Sequence, residues 1–241
     1  LKMGFDPSST DIHVGHAVGL RKLRQLQDLG HTVVLIVGDW TAQIGDPSGR
    51  PATRPTPTHA QVVENAATYL DQFFKIVDRD RTEVRWQSEW CGPFTLADVV
   101  KLTSQFTVAQ FLQRDDFDKR VAGNHPMAIT DLLLPLRQAY DSGEIQSDVE
   151  FGGTDQMFNL LVGRDLQEKM GQRPQQCFLV PLLVGTDGVQ KMSKSLNNYI
   201  GIDEPANDIF GKTMSLPDSM IVSFFENLTD IPDEDVAEIK H

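Results

Sequence analysis

The strongest constraint on the fold is the apolar, β-branched run TVVLIV at residues 32–37, which follows a helix-patterned segment closed by a glycine. Within Val14–Leu29 the apolar residues Val18, Leu23, Leu26 and Leu29 recur at helical spacing, and Gly30 stands where a helix C-terminus favours glycine. Lys2–Phe5, upstream, is a short extended stretch. A strand apolar on both faces belongs in a covered, parallel sheet, so residues 2–37 read as a βαβ unit.

The alternation continues along the chain. DWTAQIGDPSGRPATRPTPT (39–58) is a long functional loop, rich in Gly, Pro and Thr. His59–Val77 reads as helix, Glu83–Trp86 as strand, and Leu96–Leu112 as helix broken near Ser104–Thr107. Ala128–Tyr140 is helical, with a kink expected at Pro135. Asp148–Phe151 is a strand, Thr154–Met170 a helix and Cys177–Val184 another buried strand; from Glu204 onward the pattern is helical. There is no repeat and no low-complexity tract. The fold expected is α/β: a doubly wound, mostly parallel, Rossmann-like sheet with an inserted helical region at about 90–145 and a C-terminal helical segment.

With 241 residues, 40% of them hydrophobic, the chain can bury a full core. Cys91 and Cys177 are far apart and lack the C-x-x-C spacing of zinc or redox sites, which suits a reducing compartment, so the cytoplasm is expected. No apolar run approaches the roughly 18–20 residues that span a bilayer, and LKMGFDPSS is not a signal peptide, so no membrane association is expected. The chain starts at Leu1 rather than Met, so an upstream segment is expected to be missing, and the other end is open to the same reading. The net charge of −12 argues against a broad nucleic-acid surface; any such partner must be held locally or by a missing part.

Two clusters carry chemistry. His13-Val14-Gly15-His16 puts two imidazoles on one face at the head of a helix, where free N–H groups and the dipole favour phosphate. Gly15 would let a flat base lie against the backbone. By itself the pattern reads equally well as one capping and one packing histidine. Lys191-Met192-Ser193-Lys194-Ser195 follows a Gly185-Thr186-Asp187-Gly188 turn and suits a clamp on a leaving pyrophosphate. Alone it reads as a solvated charged loop; together with the histidines it does not.

These two motifs, with GFDPSSTDIHVGH (4–16), IGDPSGR (44–50), QAYDS (138–142), FGGTDQMFNL (151–160) and VPLLVG (180–185), resemble the class I aminoacyl-tRNA synthetases, and more narrowly the bacterial tyrosyl enzymes, over nearly the whole chain. The resemblance implies a nucleotide-binding catalytic domain over 1–203 and the start of a C-terminal helical segment over 204–241, the tRNA-binding part being absent. It implies two steps: tyrosine attacks the α-phosphorus of ATP, and the tyrosyl group then passes to tRNA(Tyr). It also implies a homodimer joined through the inserted helices. Mg²⁺ should accompany ATP as substrate, with no protein metal ligand and no tightly bound cofactor.

By the same resemblance His13, His16, Lys191, Lys194 and Ser8 are catalytic, acting on the phosphates. Gly15, Gly153, Asp155, Met192 and Ser193 would bind ATP, with Asp155 on the ribose hydroxyls. On residues alone, Asp155 reads equally as a helix N-cap. Lys2, Gly4, Asp6, Thr41, Asp46, Gln138, Asp141 and Gln156 would bind tyrosine, with Asp46 and Gln138 at the ammonium and Asp141 at the phenol. Gln138 and Asp141 share a helix face.

Lys2 and Leu134 stand where family members carry tyrosines. Lys2 is expected at the pocket mouth, pairing with Asp141 or approaching the phenolic oxygen, whereas Leu134 offers neither donor nor acceptor. Two alternatives stay open: a tryptophanyl-type synthetase sharing fold and motifs, and a non-catalytic RNA-binding paralogue.

Overall fold

A computed structural model describes residues 1–7, 11–43 and 57–239, apart from the side chains of residues 115 and 116. In chain order its elements begin with β1 (Lys2–Phe5), α1 (Val14–Asp28), β2 (Val33–Val37), α2 (Asp39–Ala42), α3 (His59–Phe73), β3 (Thr82–Trp86) and α4 (Ser88–Cys91). The helices α5 (Leu96–Thr103), α6 (Val108–Phe111), α7 (Asp115–Ala122) and α8 (Ile129–Ile145) follow. The chain continues through β4 (Val149–Gly153), α9 (Met157–Lys169), β5 (Gln176–Val180), α10 (Ala206–Met214), α11 (Ile221–Leu228) and α12 (Asp233–Ile239). Among the described residues no helix is long and apolar enough to cross a membrane.

The five strands form an all-parallel sheet in the order β3-β2-β1-β4-β5, a Rossmann-like arrangement. Its order reverses between β1 and β4, and in such sheets ligands bind beyond the strand ends at that switch point. β1 runs beside β2 with Met3 opposite Leu35, and beside β4 with Lys2 opposite Glu150. The buried Val33, Leu35, Ile36 and Val37 explain why the run at 32–37 had to be an inner strand.

By packing, the described residues fall into two compact units, each built from separated segments. The first comprises 1–8, 33–66 and 83–179, and the second 9–32, 67–82 and 180–241. The first holds a core of Leu102, Phe111, Phe117, Leu136, Ala139, Val162 and Leu166, where helices α5 to α9 bury their apolar faces. A smaller cluster joins Ile36 of β2 to Trp90 and Cys91 of α4. The second unit closes around Val18, Val180, Leu183 and Met192.

Several boundaries differ from the sequence expectation. β5 stops at Val180 because Pro181 has no N–H for the ladder. α3 ends at Phe73, and the chain tightens there into short-range bonds from Lys75 N–H to Gln72 O and Ile76 N–H to Phe73 O. α8 runs past Pro135 and Tyr140 to Ile145, where Gln146 turns left-handed at φ 50°. α9 starts at Met157 with Gln156 as its N-cap, after a separate turn over Thr154–Gln156. Asp155 therefore lies inside that turn and is not the helix cap.

Candidate active site

The first unit carries a buried polar relay. Gly38 leaves β2, and a Cβ there would meet Asp6 Oδ1 at 2.1 Å and Thr41 Oγ1 at 2.5 Å, so only glycine lets those side chains converge. The Thr41 hydroxyl donates to Asp6 Oδ1 (2.5 Å), and the Thr41 N–H donates to Gln87 Oε1 (2.9 Å). The Gln87 amide then donates to both oxygens of Asp141 (3.0 Å each), and the Trp90 indole N–H donates to Oδ1 at 2.8 Å. Asp6, Thr41 and Asp141, singled out by sequence, are thus joined through Gln87, which sequence reasoning missed. Gln87 and Trp90 lie just past β3, so the rule that ligands gather beyond strand ends was the signal that would have found them.

Asp141 is only 5% exposed. Burial pushes its carboxyl up to about 7, against the pull of Lys2 and the hydrogen bonds from Gln87 and Trp90, with Glu150 adding to the rise.

Lys2 is not at a pocket mouth. It is 1% exposed and pairs with Glu150 at 2.9 Å, because the parallel register sets the two residues side by side on β1 and β4. Glu150 is also bonded by Ser142 Oγ (3.3 Å) and by the Gln175 amide, while the Gln175 N–H donates to Gln167 Oε1 (2.7 Å). With its ammonium in that pair, Lys2 is buried, and its charge still acts on Asp141.

The remaining amino-acid candidates are more exposed. Gln138 lies on α8 one turn before Asp141, half-buried, and Leu134 is buried on the same helix. Gly4 is exposed, with nothing within 4 Å of where a Cβ would stand. Gly153 ends β4, Asp155 is exposed, and Gln156 accepts from Asn159 Nδ2 at 3.0 Å. Ser8 and Asp46, with the whole stretch 44–50, lie outside the described residues.

In the second unit the two motifs meet. The residues just after the lysine loop pair with the histidine segment: Val14 N–H donates to Ile200 O (2.9 Å), Ile202 N–H to Ile12 O (3.0 Å), and His13 bridges Gly201. His13 is the N-cap of α1 and is 7% exposed; its ring lies 3.9 Å from that of His16, centroid to centroid. The His13 N–H donates to His16 Nδ1 (3.3 Å), so in the neutral His16 ring the proton sits on Nε2, a donor.

Burial pushes both imidazoles down, His13 to about 4, and the Lys191 and Lys194 charges push in the same direction; for His16 the His13 charge adds to burial. Both rings are therefore neutral hydrogen-bond donors near pH 7. A Cβ at Gly15 would stand 2.9 Å from His13 Nδ1, so the glycine makes room for that ring.

The lysine loop is fastened from beneath. Met192 is 1% exposed and packs into the core of this unit, with its N–H on Leu183 O (2.8 Å), so its side chain is an anchor and not a ligand surface. Ser193 donates its N–H to Asn198 Oδ1 (2.8 Å), and Asn198 Nδ2 donates to Asp187 Oδ2 (2.7 Å). Gly185 leaves room for Asn198, whose Nδ2 would stand 2.2 Å from a Cβ. On this platform Lys191 is exposed, and the half-buried Lys194 reaches Asp11 Oδ2 at 3.2 Å.

Paired neutral imidazoles beside a loop with two lysines are suited to charge that develops on phosphate oxygens. Residues 1–241 match the sequence model of a family described as tRNA synthetases class I (W and Y). The chain belongs to that family. It is 68% identical over 240 residues to a tyrosine–tRNA ligase of Dehalococcoides mccartyi strain CBDB1, covering 100% of this chain and 61% of that protein. It is 58% identical over 238 residues to a tyrosine–tRNA ligase of Thermotoga maritima, covering 99% of this chain and 59% of that one. The chain thus spans about three fifths of the length of these class I relatives. A tyrosyl-tRNA synthetase from Archaeoglobus fulgidus, solved with L-tyrosine, shares the fold at a TM-score of 0.76 and 24% identity, over 94% of this chain and 70% of that one.

Proposed function

We propose that the chain is the catalytic part of a tyrosine–tRNA ligase, working in the cytoplasm as a homodimer. Tyrosine's carboxylate attacks the α-phosphorus of ATP, the bond to the bridging oxygen breaks and pyrophosphate leaves. The tyrosyl group of the adenylate then passes to a terminal ribose hydroxyl of tRNA(Tyr), releasing AMP. The nucleophile comes from the substrate, so no general base is required and the protein supplies position and charge stabilisation.

The backbone pairing of the His13–Val14 segment with Ile200–Gly201 carries this reading, because it fixes the lysine loop beside two neutral imidazole donors. In it His13 and His16 donate to the α-phosphate, Lys191 and Lys194 neutralise the departing pyrophosphate, and Ser8 donates to the same phosphates. Gly153, Asp155 and Ser193 serve the nucleotide. Mg²⁺ arrives with ATP; among the described residues no group of three or more His, Cys, Asp or Glu is placed to hold a metal. Asp141 receives the phenol, with Asp6, Thr41, Asp46, Gln138, Gly4 and Gln156 serving the rest of tyrosine. Leu96 at 80% and Ile129 at 78% exposure, on α5 and α8, support self-association through the inserted helices.

Tyrosine-dependent exchange of labelled pyrophosphate into ATP tests the proposal. Exchange with tyrosine and not with tryptophan is expected. Asp141→Ala should lower the tyrosine rate while phenylalanine holds or rises, the ratio falling roughly 10–100-fold, as a hydrogen bond to a charged group implies. Exchange driven by tryptophan would reassign the amino acid, and none with either would leave a non-catalytic role.

A further inference from the structure

Arg137 lies in the same unit as the buried relay. It stands four residues before Asp141 on α8 and so shares its helix face. Its Nε and Nη2 are buried and have no hydrogen-bond partner among the described residues. Its side chain bonds to Cys91, and the charges of Asp6 and Asp141 act on it. Cys91 is a poor match for a guanidinium: its thiol is pushed up to about 12, first by burial and then by Asp141, so it stays protonated, and sulfur is a weak acceptor. Buried donors without acceptors are costly, and their persistence in a binding region points to a ligand that supplies the acceptor.

We propose that Arg137 is a specificity-determining residue for the amino acid: its buried N–H groups donate to the phenolic oxygen while Asp141 accepts the phenolic O–H. This rests on the tyrosine reading above. A phenol offers one donor and lone pairs, so an anionic acceptor and a cationic donor together read both functions of one hydroxyl. Lys2 Nζ is likewise buried without a hydrogen-bond partner among the described residues, but its charge is met by the ion pair with Glu150, whereas the half-buried Arg137 has only Cys91. Phenylalanine would leave the Arg137 donors unmet and Asp141 with only its Gln87 and Trp90 bonds, which is a stronger rejection than the missing Asp141 contact alone would give.

The test is pyrophosphate exchange by the unaltered chain, Arg137→Leu and Arg137→Lys with tyrosine, 4-aminophenylalanine and phenylalanine. The arylamine donates to Asp141 but accepts poorly, because its lone pair is drawn into the ring. In the unaltered chain tyrosine should exceed 4-aminophenylalanine in kcat/KM by roughly 10–100-fold, the worth of a charged hydrogen bond. Arg137→Leu should bring that ratio close to one, chiefly through the KM for tyrosine, and leave the ratio of 4-aminophenylalanine to phenylalanine unchanged. Arg137→Lys should recover part of the preference.

A uniform loss for all three amino acids in Arg137→Leu would make the residue structural and overturn the inference. Equal use of tyrosine and 4-aminophenylalanine by the unaltered chain would overturn it whether or not the variants fold. Exchange with tyrosine whose selectivity ignores Arg137 would sink this inference alone, whereas no exchange with any of the three would sink the tyrosine reading itself.

Discussion

The two units hold their charges in opposite ways. In the first, a carboxylate is enclosed at 5% exposure by fixed donors, Gln87 and Trp90, each set by the end of a strand or the turn of a helix. In the second, the imidazoles are kept neutral while the cations ride on a loop, one exposed and one half-buried, with Met192 and Asn198 as fasteners. A buried carboxyl ringed by fixed donors can select by penalising whatever fails to meet its remaining hydrogen-bonding capacity. Cations on a loop can follow charge as it moves on to a leaving group. Under the tyrosine–tRNA ligase reading, selection and chemistry would fall to different kinds of structure.

The sharpest way to break this contrast is in the second unit. Replacing His16 or Lys194 with Ala should lower adenylate formation by something like 10²–10³, the usual loss when one preorganised donor to a transition state is removed. Tyrosine affinity, measured by equilibrium titration, should hardly move. A variant that weakened tyrosine binding as much as it slowed the reaction would show that the two functions are not divided as described.

The first unit should fail differently. Gly38→Ala places a methyl group 2.1 Å from Asp6 Oδ1, and forcing Asp6 and Thr41 apart should cost about 1–3 kcal/mol, as overpacking does. For a chain of this size that is a fall in Tm of roughly 2–4 °C per kcal/mol. The KM for tyrosine should rise and the KM for ATP should stay. A rise confined to ATP would contradict the assignment of this relay to the amino acid.

The same division explains what could be read from the sequence. The placement of His13 beside His16, and of Lys191 and Lys194 on one loop, was legible because each pair is local: a few residues on one helix turn or one loop fix it. The strand at 32–37 and the helix before it were legible because apolar periodicity is itself the packing pattern. Gln87, Trp90 and Arg137 were not, since their meaning depends on which helix packs beside which strand. Lys2 was misplaced for the same reason. Nothing in its own neighbourhood reveals that the β1–β4 register brings Glu150 opposite it, and that pairing draws the cation expected at a pocket mouth into the interior. That the Met192 side chain packs inward was not legible, because a motif gives an order of residues but not which of them face inward.

The smallest expected effect gives the contrast a sign. His13 has a folded value of about 4 against an ordinary 6.5, so between those limits the unfolded chain binds the proton and the folded chain does not. Its contribution to stability is complete above pH 6.5 and is lost as pH falls toward 4. Asp141 is the reverse. Its folded value is about 7 against an ordinary 3.8, so the folded chain keeps the proton longer, and the stability linked to it is complete below pH 3.8 and is lost as pH rises through 7. Asp141→Asn, which cannot ionise, should therefore gain Tm relative to the unaltered chain as pH is raised from 5 to 8. His13→Asn should gain relative to it as pH is lowered from 6.5 to 4.5. Melting curves of the three proteins across that range decide the matter. If both variants drifted in the same direction with pH, the buried carboxylate and the buried imidazole would not be held in opposite senses, and the contrast between the units would reduce to one of exposure.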